Sequence, residues 1–135
     1  RRQRQMCIRD RDHPDVASSL NDLAELYHTQ GQYAQAEPLH KRALAIREKA
    51  LGPDNPFVAQ SLDNLALLYY IQGRYALAER LYKRSLAILE KALGPDHPAV
   101  AQSLENMATL YRKTDREKAA EELEKRAAAI RAIKR

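Results

Sequence analysis

The sequence predicts an all-α protein, a solenoid of about three helix-turn-helix repeats with six helices in total. The main observation is a fixed period, because residues 13–54 and residues 55–96 are identical at 28 of 42 aligned positions without a gap. Apolar residues recur at helical spacing within each period, and glycine and proline recur at the same places. A period of this length indicates a solenoid, since one such unit is too small to bury its own apolar face and stacks on its neighbours.

Each period is predicted to contain two antiparallel helices. In residues 55–96, Pro56 suits a first helical turn and Asn55 can cap it. Apolar or small residues then follow at helical spacing: Val58, Ala59, Leu62, Leu65, Ala66, Leu68 and Tyr69. Gly73 is expected to end this helix in the left-handed conformation. The second helix is expected to begin near Tyr75 and to stop at the Gly-Pro pair at positions 94–95.

The first eleven residues fall outside the repeat. Residues 1–10 read Arg-Arg-Gln-Arg-Gln-Met-Cys-Ile-Arg-Asp and resemble the in-frame translation of a transposase-type sequencing adapter. We therefore interpret residues 1–11 as non-native, exclude them from the fold and expect them to be disordered. The alternative is a genuine basic tail.

Removing that segment changes the charge argument. It holds five arginines and one aspartate, so a net charge of +5 for the whole chain becomes +1 for residues 12–135. Basic and acidic residues alternate along the predicted helices, whereas a nucleic-acid surface needs clustered lysine and arginine. We therefore expect no nucleic-acid partner. No apolar run approaches the roughly 18 residues of a membrane span, so we expect no membrane partner and a cytoplasmic location.

Nothing in the sequence favours catalysis. Cys7 lies in the excluded segment, so residues 12–135 contain no thiol for a disulfide, a nucleophile or a Cys-containing zinc site. His13 and His97 occupy the same loop position two periods apart, and His40 is expected to pack beside a helix. There is no glycine-rich phosphate loop. We predict that the chain is not an enzyme and has no catalytic residues, cofactor or metal. Because Asp12 falls in mid-loop of the period, we expect a fragment of a longer chain.

The repeated motif itself points to a family. It reads Leu-x-x-Leu-Ala-x-Leu-Tyr-x-x-x-Gly-x-Tyr-x-x-Ala-Glu and then Lys-Arg-(Ala/Ser)-Leu-Ala-Ile, which resembles the tetratricopeptide repeat. The 42-residue period and the linker Leu-Gly-Pro-Asp-(Asn/His)-Pro are similar to the longer variety found in kinesin light chains and large bacterial signalling proteins. The resemblance implies a right-handed α-solenoid with repeats at residues 12–54, 55–96 and 97–135.

The third repeat departs from the pattern in its second half. Asp115 stands where the second repeat has Gly73, and Glu124 stands where it has Tyr82. Polar residues on a face that would otherwise meet another repeat are typical of a capping unit. We therefore predict that residues 97–135 form a degenerate, capping-like repeat. The alternative is ordinary divergence.

The resemblance implies that the first helix of each repeat lines a concave groove. Its apolar stripe is expected to pack in the core: Leu20, Leu23, Ala24 and Tyr27, with Leu62, Leu65, Ala66 and Tyr69, and Leu104, Met107, Ala108 and Tyr111. The neighbouring stripe is expected to bind a peptide or partner helix, and its candidate residues are Asn21, Asp22, Glu25, His28, Asp63, Asn64, Leu67, Tyr70, Ile71, Asn106, Thr109, Arg112 and Lys113. In the family, the position of Asn64 and Asn106 is commonly asparagine, whose amide can bind a peptide backbone. The alternative is that these two residues only tie adjacent helices together.

The character of the predicted groove changes along the array. It is acidic at Asp22 and Glu25, apolar and aromatic in the second repeat, and basic at Arg112 and Lys113. This order predicts a ligand with an apolar anchor at its centre and acidic residues toward the third repeat, although solvated helix faces also have such patterns. We predict a protein–protein interaction module, an adaptor or scaffold. The alternative is a regulatory sensor segment of a larger signalling enzyme, such as a caspase-like protease or a signalling ATPase.

Overall fold

Six α-helices follow one another in the computed structural model, which describes residues 13–133. They are α1 (Pro14–Thr29), α2 (Tyr33–Leu51), α3 (Pro56–Ile71), α4 (Tyr75–Leu93), α5 (Pro98–Lys113) and α6 (Glu117–Ala132). The described residues contain no strand, and the predicted all-α repeat fold is confirmed. The predictions for residues 1–11, including the adapter-like interpretation, lie outside the described residues.

The first helix of each repeat begins with proline and is capped by the residue before it. The Asn55 side chain accepts a hydrogen bond from the Phe57 amide at 2.9 Å. His13 and His97 do the same through Nδ1, at 3.1 and 3.0 Å. A side-chain acceptor at this position satisfies one of the amides that a helix start leaves unpaired. The two loop histidines are therefore helix caps, a role that the sequence analysis did not give them.

The turn between the two helices of a repeat needs a left-handed residue. Gly31 and Gly73 adopt φ values of +77° and +78°, and Asp115 adopts +61° at the same position of the third repeat. The third repeat thus keeps the turn without the glycine. A side chain makes this conformation costly, although aspartate tolerates it better than most residues.

Replacing Asp115 with glycine should therefore raise the free energy of unfolding by about 0.5–1 kcal/mol. Urea denaturation followed by circular dichroism measures the difference. As a matched control, Gly73→Asp should lower the free energy of unfolding by a similar amount. An unchanged denaturation midpoint in the Asp115→Gly variant would show that this turn carries no strain.

The helices pack in pairs and the pairs stack in order. α1 packs on α2, α3 on α4 and α5 on α6, while α2 contacts α3 and α4 contacts α5. Small side chains let the paired helices approach, and these alanines are at most 1% exposed: Ala24, Ala36, Ala66, Ala78, Ala108 and Ala120. The core is therefore continuous from one repeat to the next, as a solenoid requires.

A polar ladder repeats along the edge of the stack. Glu37 of the first repeat pairs with Arg74 of the second at 3.2 Å, and the guanidinium lies 4.6 Å from the centre of the Tyr69 ring. Glu79 and Arg116 repeat this pair between the second and third repeats at 2.5 Å. The hydrogen bond from Arg116 lowers the pKa of Glu79 to about 2. Each pair links two successive repeats, so the ladder helps to fix their register.

Candidate functional site

Three adjoining cavities lie along the first helices. The first, of about 470 Å³, lies between the first and second repeats and is lined by Ser18, Asn21, Asp22, Glu25, Arg47, Gln60, Asn64 and Leu67. The second, of about 80 Å³, is lined by Leu67, Tyr70, Tyr82, Asn106 and Thr109. The third, of about 330 Å³, is lined by Pro56, Phe57, Gln60, Asp63, Leu89, Leu93, Ala99 and Gln102. Leu67 joins the first cavity to the second and Gln60 joins the first to the third, so we call the three together the groove.

Most of the predicted site residues meet in the groove. Those that line one of its cavities are Asn21, Asp22, Glu25, Asp63, Asn64, Leu67, Tyr70, Asn106 and Thr109. Four predicted residues do not line it, namely His28, Ile71, Arg112 and Lys113. The predicted stripe is therefore brought together in its central part and not at the C-terminal ends of the first helices.

Asn64 and Asn106 are both half-buried and accessible from the groove. The Asn106 Oδ1 atom accepts a hydrogen bond from Gln102 Nε2 at 3.1 Å, within the same helix. Among residues 13–133, neither asparagine side chain forms a hydrogen bond to another helix. The alternative interpretation, in which they tie adjacent helices together, gains no support from these contacts.

Asn21 and Asp63 line the groove and also lie against the second helix of their own repeat. Asn21 is 6% exposed, and its Oδ1 atom lies 3.3 Å from Nδ1 of the buried His40 on α2. At the equivalent place in the second repeat, burial raises the pKa of Asp63 to about 6, an effect that the nearby Ser85 hydroxyl partly offsets. Both side chains turn toward the second helix of their own repeat.

His40 packs in the core, as predicted. It is fully buried, and burial together with the charge of His28 lowers its pKa to about 4. A neutral imidazole held in this way contributes packing and a contact to Asn21. The interpretation of His40 as a packing residue is confirmed.

The last turns of the first helices pack on the starts of the second helices. The His28 ring meets the Tyr33 ring edge-on, with centroids 5.5 Å apart. The Tyr70 and Tyr75 rings repeat this contact at 5.7 Å. His28 lines none of the three cavities, and its ring packs on Tyr33 at the turn. Tyr70 makes the same contact and still lines the second cavity.

Arg112 does not supply an uncompensated positive charge. Its guanidinium donates to both carboxylate oxygens of Glu124, at 3.2 and 2.5 Å, and to Glu117. Glu124 stands where the second repeat has Tyr82, so the degenerate half of the third repeat provides the partner. The predicted basic end of the groove is thus weakened, and the exposed Lys113 is the cation that remains there.

Arg47 is a groove residue that the sequence analysis missed. It is 4% exposed and donates to Ser18 Oγ at 3.3 Å, Gln60 Oε1 at 2.9 Å, Ser61 Oγ at 3.0 Å and the Phe57 carbonyl at 3.1 Å. Burial lowers the pKa of its guanidinium. The side chain reaches from α2 to both α1 and α3, forming the floor of the first cavity. Comparing the repeats could have drawn attention to Arg47, because the second repeat has Leu89 at the equivalent position.

The apolar third cavity was also missed. Phe57 is 57% exposed and Leu93 is 38% exposed, and both line it. Phe57 lies in the first turn of α3, outside the stripe from which the candidates were chosen. Exposed large apolar side chains around a concavity are typical of an interaction surface.

The paired helices and the groove along their first members define a helical-repeat protein. A family model described as the Nephrocystin-3 TPR domain matches residues 38–135, and a tetratricopeptide repeat model matches residues 16–57. The chain therefore belongs to the tetratricopeptide repeat family. A comparison with curated proteins found no match.

Solved structures show the same architecture. BtubC (BKLC) from P. vanneervenii superposes with a TM-score of 0.84 at 28% identity, over 90% of this chain and 49% of that one. A P. anserina kinesin light chain protein with nearly identical TPR-like repeats gives a TM-score of 0.79 at 31% identity, over 89% of this chain and 57% of that one. The chain thus spans about half the length of both. The N-terminal domain of STI-1 from C. elegans shares the fold at 14% identity, with a TM-score of 0.69 and coverage of 87% and 85%.

The tetratricopeptide repeat fold is a scaffold for protein–protein interaction. None of the helices between residues 13 and 133 has the length and apolar character needed to cross a membrane. In the same residues, no three histidine, cysteine, aspartate or glutamate side chains are grouped to hold a metal ion.

Proposed function

We propose that this chain is a protein–protein interaction module, an adaptor or scaffold, that binds a peptide or a partner helix in the groove. The observation that carries the proposal is the row of three neighbouring cavities, the first of which shares Gln60 with the third and Leu67 with the second. A row of adjoining cavities over three repeats suits an extended partner better than it suits a small ligand.

The half-buried asparagines supply the polar part of this recognition. Asn64 lines the first cavity and Asn106 lines the second, so the two amides are placed one repeat apart along the groove. An asparagine side chain can both donate to a carbonyl and accept from an amide. The pair therefore offers two hydrogen-bonding points to the backbone of an extended ligand.

Exposed leucine and phenylalanine side chains supply the apolar part of this recognition. Leu67 is 41% exposed at the junction of the first and second cavities, and Phe57 and Leu93 border the third. Asp22 and Glu25 are exposed on the first cavity. We propose a ligand with an apolar or aromatic anchor near Leu67 and with neutral or basic groups toward the first repeat. An acidic end of the ligand toward the third repeat would meet Lys113 only beyond the groove, since Arg112 is already paired with Glu117 and Glu124.

Replacing Asn64 and Asn106 together with alanine should weaken a bound peptide with little change in stability. A peptide selected against the whole chain from a random display library serves as the probe, and fluorescence anisotropy gives its dissociation constant. Each lost hydrogen bond is worth about 0.5–1.5 kcal/mol, so the loss of two should raise the dissociation constant roughly 5- to 150-fold. Gln35→Ala, an exposed change on α2, is the control and should leave the affinity unchanged.

Urea denaturation of the same double variant separates the two interpretations of the asparagines. A denaturation midpoint that stays with the wild type supports a role in binding. A clear fall of the midpoint with an unaltered dissociation constant would mean that the two amides stabilise the fold and do not bind the partner.

A further inference from the structure

The face of α1 that points away from the array is apolar and open. Leu23 is 41% exposed and Leu26 is 53% exposed. Their counterparts one repeat later, Leu65 and Leu68, are 3% and 0% exposed, and those in α5 are at most 4% exposed. The same two positions of the period are thus buried in α3 and α5 and exposed in α1.

The two internal interfaces show what covers this face. α2 packs on α3 and α4 packs on α5. These helices carry leucines at equivalent places, Leu39 and Leu44 in α2 and Leu81 and Leu86 in α4, and all four pack against the buried cluster that contains Leu65, Leu68, Met107 and Leu110. In both cases the occupant is the second helix of the preceding repeat.

An ion pair accompanies each covered face. Arg84 binds Glu48 of the preceding repeat at 2.7 Å, and Arg126 binds Glu90 at 2.6 Å. The residue at this position in the first repeat is Arg42. Arg42 is exposed, and it has no ion pair with any of the residues from 13 to 133. The cation that would meet an incoming glutamate is therefore present beside the open face.

The polar ladder formed by the Glu37–Arg74 and Glu79–Arg116 pairs has no such cation at this end. Arg74 and Arg116 bind a glutamate of the repeat before them, but the first repeat has Gln32 at that position. A helix that covers the open face of α1 therefore needs a glutamate at the position equivalent to Glu48 of α2. It needs no charged residue at the position equivalent to Glu37.

We propose that the end face, formed by Leu23, Leu26 and Arg42, binds the second helix of a further repeat of this same type, placed on the N-terminal side of α1. The bound helix carries leucines at the positions of Leu39 and Leu44 and a glutamate at the position of Glu48. Charge complementarity and the two internal interfaces together select this occupant.

A second copy of this chain fits the face less well. The free second helix of such a copy would be α6, which has Ala128 where α4 has Leu86 and Ala132 where α4 has Glu90. Docking α6 on α1 would therefore lack both a leucine and the carboxylate for Arg42. The end face is complementary to helices like α2 and α4 and not to α6.

A longer chain tests the proposal directly. Residues 55–96 are placed immediately before His13, in place of residues 1–12, so that the junction Asp96–His13 repeats the natural sequence Asp96–His97. The added copy of α4 should cover α1. Amide hydrogen exchange measured by mass spectrometry on α1 should slow by about tenfold or more relative to the original chain, and the urea midpoint should rise.

Matched variants show whether the end face is responsible. Leu23→Glu with Leu26→Glu in the longer chain should abolish the slowing, and Arg42→Ala should reduce it. Circular dichroism reports whether the added repeat is helical. If α1 exchanges at its original rate, whether the added repeat is folded or unfolded, the proposal is overturned. It is also overturned if the original chain dimerises on a sizing column with light scattering and the double glutamate variant does not, since the face then belongs to a second copy.

Discussion

Replacing Leu65 with alanine is expected to lower the free energy of unfolding by about 2–5 kcal/mol, whereas Leu23→Ala should lower it by less than about 1 kcal/mol. The two leucines occupy the same position of the 42-residue period and have nearly the same sequence around them. Leu65 is 3% exposed and Leu23 is 41% exposed. Truncation at Leu65 leaves a cavity between repeats, while truncation at Leu23 removes a side chain that already contacts solvent.

Urea denaturation of both variants under the same conditions measures the difference. Leu67→Ala, at 41% exposure on the groove side of α3, is a second control and should resemble Leu23→Ala. Equal losses at Leu65 and Leu23 would contradict the open end face, because they would place Leu23 in a packed interface.

The period was enough to predict the helices. Pro56, Gly73 and the Gly-Pro pair at 94–95 delimit α3 and α4 as the structure has them. Local chemistry explains this success, since proline starts a helix and glycine tolerates the left-handed turn that follows it. Asp115 shows the limit of such signals, because it adopts the same turn with φ of +61° and no glycine.

The groove was predicted less completely than the helices. A stripe on one helix can be drawn from sequence, but its depth depends on the neighbouring helix. Asn21 falls on the groove side of α1 and is nevertheless largely buried, with His40 of α2 beside it. Arg112 is similar, since its partner Glu124 belongs to another helix. Contacts between helices are a tertiary property that a helical period does not contain.

The same limit applies to the ends of the array. A repeat pattern gives equivalent residues equivalent environments, and that holds only where a neighbour is present on each side. Leu23 was predicted to pack like Leu65 and Met107, but it is exposed. Its environment follows from its place in the stack, whereas the sequence around it is that of an internal repeat.

The pKa of Asp63 predicts how the free energy of unfolding changes with pH. Its pKa is raised from 3.8 to about 6, mainly by burial. The folded chain therefore holds this proton at pH values where the unfolded chain has lost it. The contribution of Asp63 to the free energy of unfolding therefore falls as the pH rises from about 4 to about 6, and it is constant above that range. His40 acts in the opposite direction, since its pKa is lowered to about 4 and stability is lost as the pH falls below its unfolded value.

Asp63→Asn should remove the Asp63 contribution and leave that of His40. We expect the variant to be more stable than the wild type at about pH 7.5, by about 1–3 kcal/mol, and to differ little at about pH 4. Asparagine occupies the equivalent position in the first repeat as Asn21, so the fold accommodates it. Urea denaturation of both proteins at the two pH values measures the change. Asp96→Asn, in an exposed loop, is the control, and it should leave the pH dependence as it is in the wild type. A stability gain for Asp63→Asn that is equal at both pH values would exclude titration of the buried carboxyl as its cause.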